Sequence, residues 1–217
     1  GLFRRGDAAT IVANPNSPTG TAVSNAELSR LARAIGGLLV VDEAYADFAD
    51  EHALSLVERH RNVIVLRTFS KSFSLCGVRL GLAFAREEVI EGLAKVKDSY
   101  NVNRFAIAAG VAALKDIEAM RANAQRIRAT RRRLARALED MGWRPLPSQS
   151  NFLFARAPKG AGYTAWEMYR ALKARRVLVR YFDAPGLDDG LRITIGNDRE
   201  IDALLRHMKT IAASRAG

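Results

Sequence analysis

The sequence predicts an α/β fold with a mostly parallel sheet and helices on both faces, followed by a smaller α+β domain. Continuous apolar runs at residues 10–13, 38–41 and 63–66 are typical of strands buried on both faces, as in parallel sheets. A capping-box pattern at Ser24 and Glu27 predicts a helix between the first two runs, which gives a strand–helix–strand order. After residue 141, short strand patterns mixed with capped helices indicate the second domain.

The remaining elements follow from spacing and capping. Residues 80–84 predict a fourth strand, and residues 87–141 have an almost wholly helical pattern. The second domain has strand patterns at residues 144–147, 152–154, 177–179 and 191–195. Capping boxes that begin at Thr164 and Asn197 predict its two helices. The predicted organisation is a first domain at 1–115, a connecting helix at 116–141 and a second domain at 142–217.

The charge balance raises the question of a nucleic-acid partner. Among 217 residues, 34 are basic and 23 acidic, which gives a net charge of +11. The densest basic cluster lies on one predicted amphipathic helix and comprises Arg121, Arg126, Arg128, Arg131, Arg132, Arg133 and Arg136. Aromatic side chains do not interleave with these arginines, so the pattern favours a solvated helix face over a nucleic-acid groove. Basic nucleic-acid binding remains an alternative.

Cysteine and histidine usage argues against a disulfide-bonded or metal-binding protein. A single cysteine, Cys76, excludes an internal disulfide and fits a reducing compartment; its neighbours predict a small buried residue. The three histidines are too scattered for a metal site. The apolar runs are too short to span a bilayer, and there is no charged-then-apolar leader. We therefore predict a cytoplasmic protein without a metal or a membrane partner. The start at Gly1, close to a strand, suggests a portion of a longer protein.

Polar clusters follow each of the first three predicted strands. They lie at residues 14–20, 42–45 and 68–71. In parallel α/β sheets, ligands bind beyond the carboxyl ends of the strands, where these clusters meet. Taken singly, such residues are ordinary: a turn aspartate, a boundary tyrosine or a surface arginine. Their joint occurrence in this order favours one shared site.

The residue types at this edge suit pyridoxal 5'-phosphate. Its aldehyde requires an amine, its ring nitrogen must stay protonated, and its phosphate requires donors. Lys71 would form the Schiff base and then move the α-proton. Asp42 would bind the pyridinium and Tyr45 the ring oxygen. The phosphate would be bound by Thr68, Ser70 and Arg79.

Five segments resemble the class I/II, fold-type I aminotransferases, and most of all the histidinol-phosphate aminotransferase group. They are NPNSPTG, DEAY, TFSKSFSLCGVRLG, SYNVNRF and LRITIG. The resemblance implies the same roles for Lys71, Asp42 and Tyr45, and it implies that Arg192 binds the substrate α-carboxylate. It also implies a homodimer that transfers an amino group from histidinol phosphate to 2-oxoglutarate in histidine biosynthesis. Arg180, at the end of a predicted strand, would meet a substrate phosphate or else be a solvated charge.

The sequence departs from the family pattern in two places. The family carries asparagine immediately before Pro-Thr-Gly, where this chain has Ser17; either Asn16 or Ser17 makes the contact to the ring oxygen. Family members also carry more than a hundred residues before this region, including a phosphate-binding loop, a ring-stacking aromatic residue and part of the dimer contact. The 217 residues alone are therefore expected to bind the cofactor weakly and to be inactive.

Besides nucleic-acid binding, three other functions remain open at this point. The same motifs occur in threonine-phosphate decarboxylases and in aromatic or aspartate aminotransferases of this fold. A non-catalytic remnant that serves as a binding or dimerisation module is the alternative from another class. The intact set of Lys71, Asp42 and Arg79 argues against the remnant.

Overall fold

The computed structural model describes residues 6–215 and divides into two compact units. One unit holds the described residues up to Asn16 together with Ala22–Ala124. The other holds Ser17–Thr21 and the described residues from Gln125 onward. The outer limits of the predicted domains, residues 1 and 217, lie outside the described residues. The predicted limits at 115 and 142 stay predictions.

The first unit contains a four-stranded sheet in the order β1-β2-β3-β4. Its strands are β1 (Ala9–Ala13), β2 (Leu38–Asp42), β3 (Val63–Thr68) and β4 (Gly81–Phe84). The first three are parallel, and β4 is antiparallel to β3. The predicted mostly parallel sheet is therefore confirmed, and the fourth strand adds an antiparallel edge.

Five helices belong wholly or partly to the first unit. They are α1 (Asn25–Ala34), α2 (Leu54–Arg59), α3 (Glu87–Val96), α4 (Arg104–Lys115) and the start of α5 (Ile117–Asp140). The predicted capping box of α1 is present, and the Ser24 backbone and side chain lower the pKa of Glu27 by hydrogen bonding. The six-residue α2 was not predicted, because it has no side-chain cap to mark its start.

The core of this unit lies between α1, α2 and one face of the sheet. Alternate residues of β2, Leu39 and Val41, are fully buried, as are Val63 and Val65 of β3. Leu28 of α1 packs in the same cluster. Burying an apolar side chain of this size contributes about 1.5–3 kcal/mol. This core fixes β2 and β3 side by side and so fixes the spacing of their carboxyl ends.

The second unit contains an antiparallel sheet in the order β5-β6-β8-β7. The strands are β5 (Arg144–Pro145), β6 (Phe152–Arg156), β7 (Arg180–Tyr181) and β8 (Gly190–Thr194). The end of α5, α6 (Ala165–Ala174) and α7 (Asp198–Ala213) share its core. The predicted capping boxes of α6 and α7 are both present.

The strand predicted at residues 177–179 is wrong. The amide of Val177 donates to Leu172 O at 3.0 Å and so closes the end of α6 instead of joining the sheet. Arg176 has a φ of 62°, which turns the chain there. The strand begins only at Arg180. Arg180 therefore opens β7 and does not end a strand.

Two surface assignments also need correction. Cys76 is exposed, because it lies in a turn closed by the Val78 amide on the Leu75 carbonyl at 3.1 Å. Arg131, predicted to belong to the solvated basic face of α5, is only 7% exposed. Its Nη1 donates to Ser150 O at 2.6 Å. Arg131 therefore lies on the buried side of α5 and not on its solvated face.

Replacing Arg131 with alanine is expected to lower the free energy of unfolding by about 2–3 kcal/mol, because a buried charge-assisted hydrogen bond is lost and a carbonyl is left unpaired. Urea unfolding followed by circular dichroism measures the change. Arg132→Ala is the matched control: Arg132 is the next residue of α5 and is exposed, so its loss should cost less than about 0.5 kcal/mol. Equal effects of the two substitutions would show that Arg131 has no special structural role.

Candidate active site

The carboxyl ends of the first three strands lie at one edge of the first sheet. Asp42 is the last residue of β2 and pairs in register with Ala13 of β1 and Leu66 of β3. The amide of Asn14 donates to Asp42 O at 2.9 Å, which extends this pairing past the end of β1. The polar segments that follow these strands therefore share one edge, as the parallel order predicts.

Asp42 and Tyr45 lie in the turn after β2, and both are half-buried. Asp42 Oδ1 accepts a hydrogen bond from the Ala44 amide at 3.0 Å. Tyr45 directly precedes a 3-10 helix, Ala46–Phe48. Lys71 is exposed, and its Nζ lies 5.2 Å from the centre of the Tyr45 ring. The structure thus brings the predicted amine and phenol together. The predicted carboxylate, Asp42, lies in the same turn as the phenol.

The turn between β3 and Lys71 is ordered by Thr68. Its Oγ1 accepts from the Ser70 amide at 3.1 Å and donates to Leu80 O at 3.4 Å. Both Thr68 and Ser70 are half-buried. A hydroxyl that bonds the backbone two residues on favours a tight turn. Thr68 therefore shapes the segment that carries Ser70 and Lys71.

Arg79 has a backbone conformation that is uncommon outside glycine. Its φ is 58°, in the left-handed region that costs a side chain about 1–2 kcal/mol. The side chain is exposed, and Nη1 donates to Cys76 O at 3.0 Å. Such conformations cluster at ligand-binding segments. The structure places Arg79 at the end of the same loop as Lys71, with its guanidinium bonded within that loop.

Sequence reasoning missed Asn14, which orders the loop after β1. Asn14 is 6% exposed, and its Oδ1 accepts from the Val23 amide at 2.9 Å while its Nδ2 donates to Val23 O at 3.1 Å. Asn16 is half-buried and Ser17 is exposed. Asn16 belongs to the first unit and Ser17 to the second. An asparagine between a strand and a proline was the signal that pointed to a structural amide here.

The second unit contains its own basic group around Arg192. This residue is the third in β8, an inner strand that lies between β6 and β7. Its guanidinium carbon lies 5.1 Å from the Phe152 ring centre and 5.6 Å from that of Phe182. Nη1 donates to Ser17 Oγ at 3.2 Å. Within residues 6–215, its buried Nε has no hydrogen-bond partner.

Arg180 stands directly opposite Arg192 in the pairing of β7 with β8. Its guanidinium carbon lies 5.4 Å from the Phe182 ring, so one aromatic ring contacts both arginines. Like charges on directly opposed residues of a sheet are destabilising unless a counter-charge is present. Two opposed arginines are therefore suited to an anionic ligand.

The described residues offer neither a metal site nor a membrane-spanning helix. Across the described part of the chain, no cluster of three or more histidine, cysteine, aspartate or glutamate side chains has the arrangement of a metal site. None of the helices described is long and apolar enough to cross a membrane.

Known proteins match this chain in sequence and in fold. The sequence model of the family "Aminotransferase class I and II" matches residues 5–208. The chain belongs to the class I and II aminotransferase family, which confirms the resemblance and the fold-type I assignment.

Three individual proteins illustrate the match. A Nostoc sp. protein named histidinol-phosphate aminotransferase 1 is 44% identical over 206 residues, which cover 95% of this chain and 58% of that protein. The crystal structure of histidinol-phosphate aminotransferase from Sinorhizobium meliloti in complex with pyridoxal-5'-phosphate has a TM-score of 0.85 and 29% identity. The match covers 95% of this chain and 58% of that one. The structure of L-threonine-O-3-phosphate decarboxylase from Porphyromonas gingivalis has a TM-score of 0.82 at 23% identity, with 94% and 62% covered, and so shows the fold alone.

The match covers different shares of this chain and of its relatives. Nearly all of this chain is covered, whereas it spans about 58% of the length of the Nostoc relative. The similarity therefore describes a large part, but not all, of such a protein.

Proposed function

We propose that this chain forms the cofactor-attachment and substrate-anion sites of a pyridoxal-phosphate-dependent aminotransferase acting on histidinol phosphate and 2-oxoglutarate. The observation that carries the proposal is the position of Lys71 Nζ, 5.2 Å from the Tyr45 ring, at the sheet edge where Asp42 ends β2. The name of the Nostoc relative supports the choice of substrate and a role in histidine biosynthesis.

The residues present fit pyridoxal phosphate by their chemistry. The first unit offers an exposed amine at Lys71, a carboxylate at Asp42, a phenol at Tyr45 and hydroxyl and guanidinium donors at Ser70 and Arg79. An aldehyde, a pyridinium, a ring oxygen and a phosphate dianion need these partners, in that order. Thr68 shapes the turn that carries Ser70 and Lys71. We propose that Asn16 or Ser17 contacts the ring oxygen.

The bound cofactor supplies an aldehyde and an electron-withdrawing ring. Lys71 would hold the aldehyde covalently, and its amine, once free, would move a proton at the substrate carbon that carries nitrogen. The Asp42 carboxylate would bind the ring nitrogen and so favour its protonated form. Tyr45 would donate a hydrogen bond from its hydroxyl to the ring oxygen. Each step thus uses a group that the chain itself supplies.

Both proposed substrates carry anionic groups that suit the arginines of the second unit. Histidinol phosphate has a phosphate, and 2-oxoglutarate has two carboxylates. We propose that Arg192 binds the carboxylate of the oxo acid and that Arg180 meets the phosphate. The unpaired buried Nε of Arg192 and the opposed arrangement of the two arginines support an anion at this place.

Replacing Arg192 with lysine is expected to raise the KM for 2-oxoglutarate about 10–100-fold, because a bidentate contact becomes a single point charge. Arg180→Lys should raise the KM for histidinol phosphate more than that for 2-oxoglutarate. Both effects are measured by steady-state kinetics, with each substrate varied in turn, on this chain preceded by the N-terminal segment of the Nostoc relative. Arg144→Lys, at an exposed position of β5, is the control and should change neither. Equal KM values for parent and Arg192→Lys would contradict the role of Arg192.

We propose that the whole protein is a homodimer in the cytoplasm. Large apolar side chains are exposed on β4, α3 and α4 of this chain, among them Leu82, Leu93, Phe105 and Val111 at 41%, 42%, 89% and 49%. Exposed apolar patches of this kind mark contact surfaces. We propose that the remainder of the family fold and a second subunit cover them. No nucleic-acid partner is proposed, since Arg131 is buried and Arg133 pairs with Asp198 and Asp202.

The test compares two proteins: the 217-residue chain, and the same chain preceded by the N-terminal segment of the Nostoc relative, here called the completed chain. The completed chain should convert histidinol phosphate and 2-oxoglutarate to glutamate, and the 217 residues alone should not, since several charge-assisted contacts worth about 1.5–3 kcal/mol each would be missing. Release of CO2 from threonine phosphate without glutamate formation would favour a decarboxylase. A completed chain without either reaction or cofactor binding would favour a non-catalytic module.

A further inference from the structure

A buried network of charged and polar side chains connects the two strand ends that carry Asp42 and Lys71. Arg67 Nε donates to Glu43 Oε2 at 2.8 Å, and Arg67 Nη1 donates to Asp47 Oδ1 at 2.8 Å. Ser72 Oγ donates to Asp47 Oδ2. We call Glu43, Arg67, Asp47 and Ser72 the Glu43–Ser72 network.

Two members of this network are chain neighbours of predicted site residues. Glu43 directly follows Asp42, and Ser72 directly follows Lys71. Arg67 lies in β3 between the two segments. In each of the pairs Asp42-Glu43 and Lys71-Ser72, the first residue is a predicted cofactor ligand and the second belongs to the network.

The network is largely shielded from water, and its most exposed member is the Asp47 side chain, at 21%. Glu43 is 2% exposed and Ser72 is 4% exposed, and the side chain of Arg67 is 16% exposed. Glu43 Oε1 also accepts a hydrogen bond from the Ala53 amide. Buried, hydrogen-bonded ion pairs contribute little net stability, but removing one partner is costly, so they fix geometry.

We infer that the Glu43–Ser72 network sets the spacing between the Asp42 carboxylate and the Lys71 amine, with Asp47 and Ser72 as positioning residues. This inference rests on the proposed function, because the spacing matters only if both groups bind one cofactor ring. A reacting group displaced by about 1 Å can lose a hundredfold in rate. Groups held by a second layer of hydrogen bonds avoid that loss.

The test measures how fast pyridoxal 5'-phosphate becomes covalently attached to Lys71 in the completed chain, by the absorbance change on mixing. Ser72→Ala, Asp47→Ala and the double substitution are compared with the parent. Ser74→Ala is the matched control, because Ser74 is exposed in the same loop. Circular dichroism and urea unfolding are recorded for every variant, so that the rates are compared only among folded proteins.

Ser72→Ala should slow attachment about tenfold, and Ser72→Thr, which keeps the hydroxyl, should restore most of the rate. The double substitution should be no slower than Asp47→Ala alone, since both remove the same hydrogen bond. Ser74→Ala should stay within about twofold of the parent. Ser72→Ala removes only one hydroxyl. If Asp47→Ala does not fold, the comparison of Ser72→Ala with the parent is sufficient for the test.

The outcomes separate this inference from the proposed function. If the parent attaches the cofactor at Lys71 and folded Ser72→Ala attaches it at the parent rate, the positioning role is wrong and the proposed function stands. A parent that does not attach the cofactor at Lys71 overturns both.

Discussion

Replacing Lys71 with alanine is expected to abolish transamination by the completed chain, leaving less than about one-thousandth of the parent kcat. The amine provides both the covalent link to the cofactor and the proton transfer, and general acid–base catalysis alone is worth about 10²–10⁴-fold. Lys71 is exposed, so its removal should leave the unfolding free energy within about 0.5 kcal/mol of the parent. Glutamate formation from histidinol phosphate and 2-oxoglutarate measures the loss.

Lys95→Ala is the control for Lys71→Ala, since Lys95 is an exposed lysine near the end of α3. It should keep the parent kcat. A Lys71→Ala variant that turns over within tenfold of the parent would exclude Lys71 as the attachment residue. A small primary amine is then added to Lys71→Ala. If it restores part of the activity, this result supports the proton-transfer role of Lys71 separately from its covalent role.

Replacing Asp42 with asparagine is expected to lower kcat by about 10²–10³-fold, the usual effect of removing one preorganised electrostatic contact. The amide keeps the shape and still accepts from the Ala44 amide, as Asp42 Oδ1 does at 3.0 Å, so cofactor binding should fall much less than turnover. A neutral residue no longer holds the proton on the ring nitrogen, and the ring then withdraws electrons poorly.

The measurement for Asp42→Asn is kcat together with the cofactor Kd from an absorbance titration. Asp140→Asn, at the exposed end of α5, is the control and should change neither value. Turnover within a factor of about two of the parent corresponds to well under 1 kcal/mol of barrier and would show that Asp42 does not contact the ring nitrogen.

The elements that positioned the site could be predicted because local signals determine them. Continuous apolar runs marked β1, β2 and β3, and parallel order brought their carboxyl ends to one edge. The capping boxes at Ser24, Thr164 and Asn197 lie where the spacing predicted them. Each of these features depends on residues close together in the chain.

What escaped prediction depends on contacts between distant residues. Glu43 and Arg67 are 24 positions apart, and neither stood out in a chain with many charges. Arg131 looked like its solvated neighbours until its contact with Ser150 O was known. Residues 177–179 have the composition of a strand, but the Val177 amide is used at the end of α6. Burial and partner choice at such positions are properties of the fold, not of the local sequence.

The most direct test of the central claim is to locate the cofactor linkage. The completed chain is incubated with pyridoxal 5'-phosphate, reduced with borohydride and digested with trypsin, which does not cleave at a modified lysine. We predict one dominant labelled peptide, residues 68–79, with the label on Lys71 and no cleavage there. Labelling mainly at Lys95 or Lys97, with Lys71 unmodified, would contradict the site proposed for this chain.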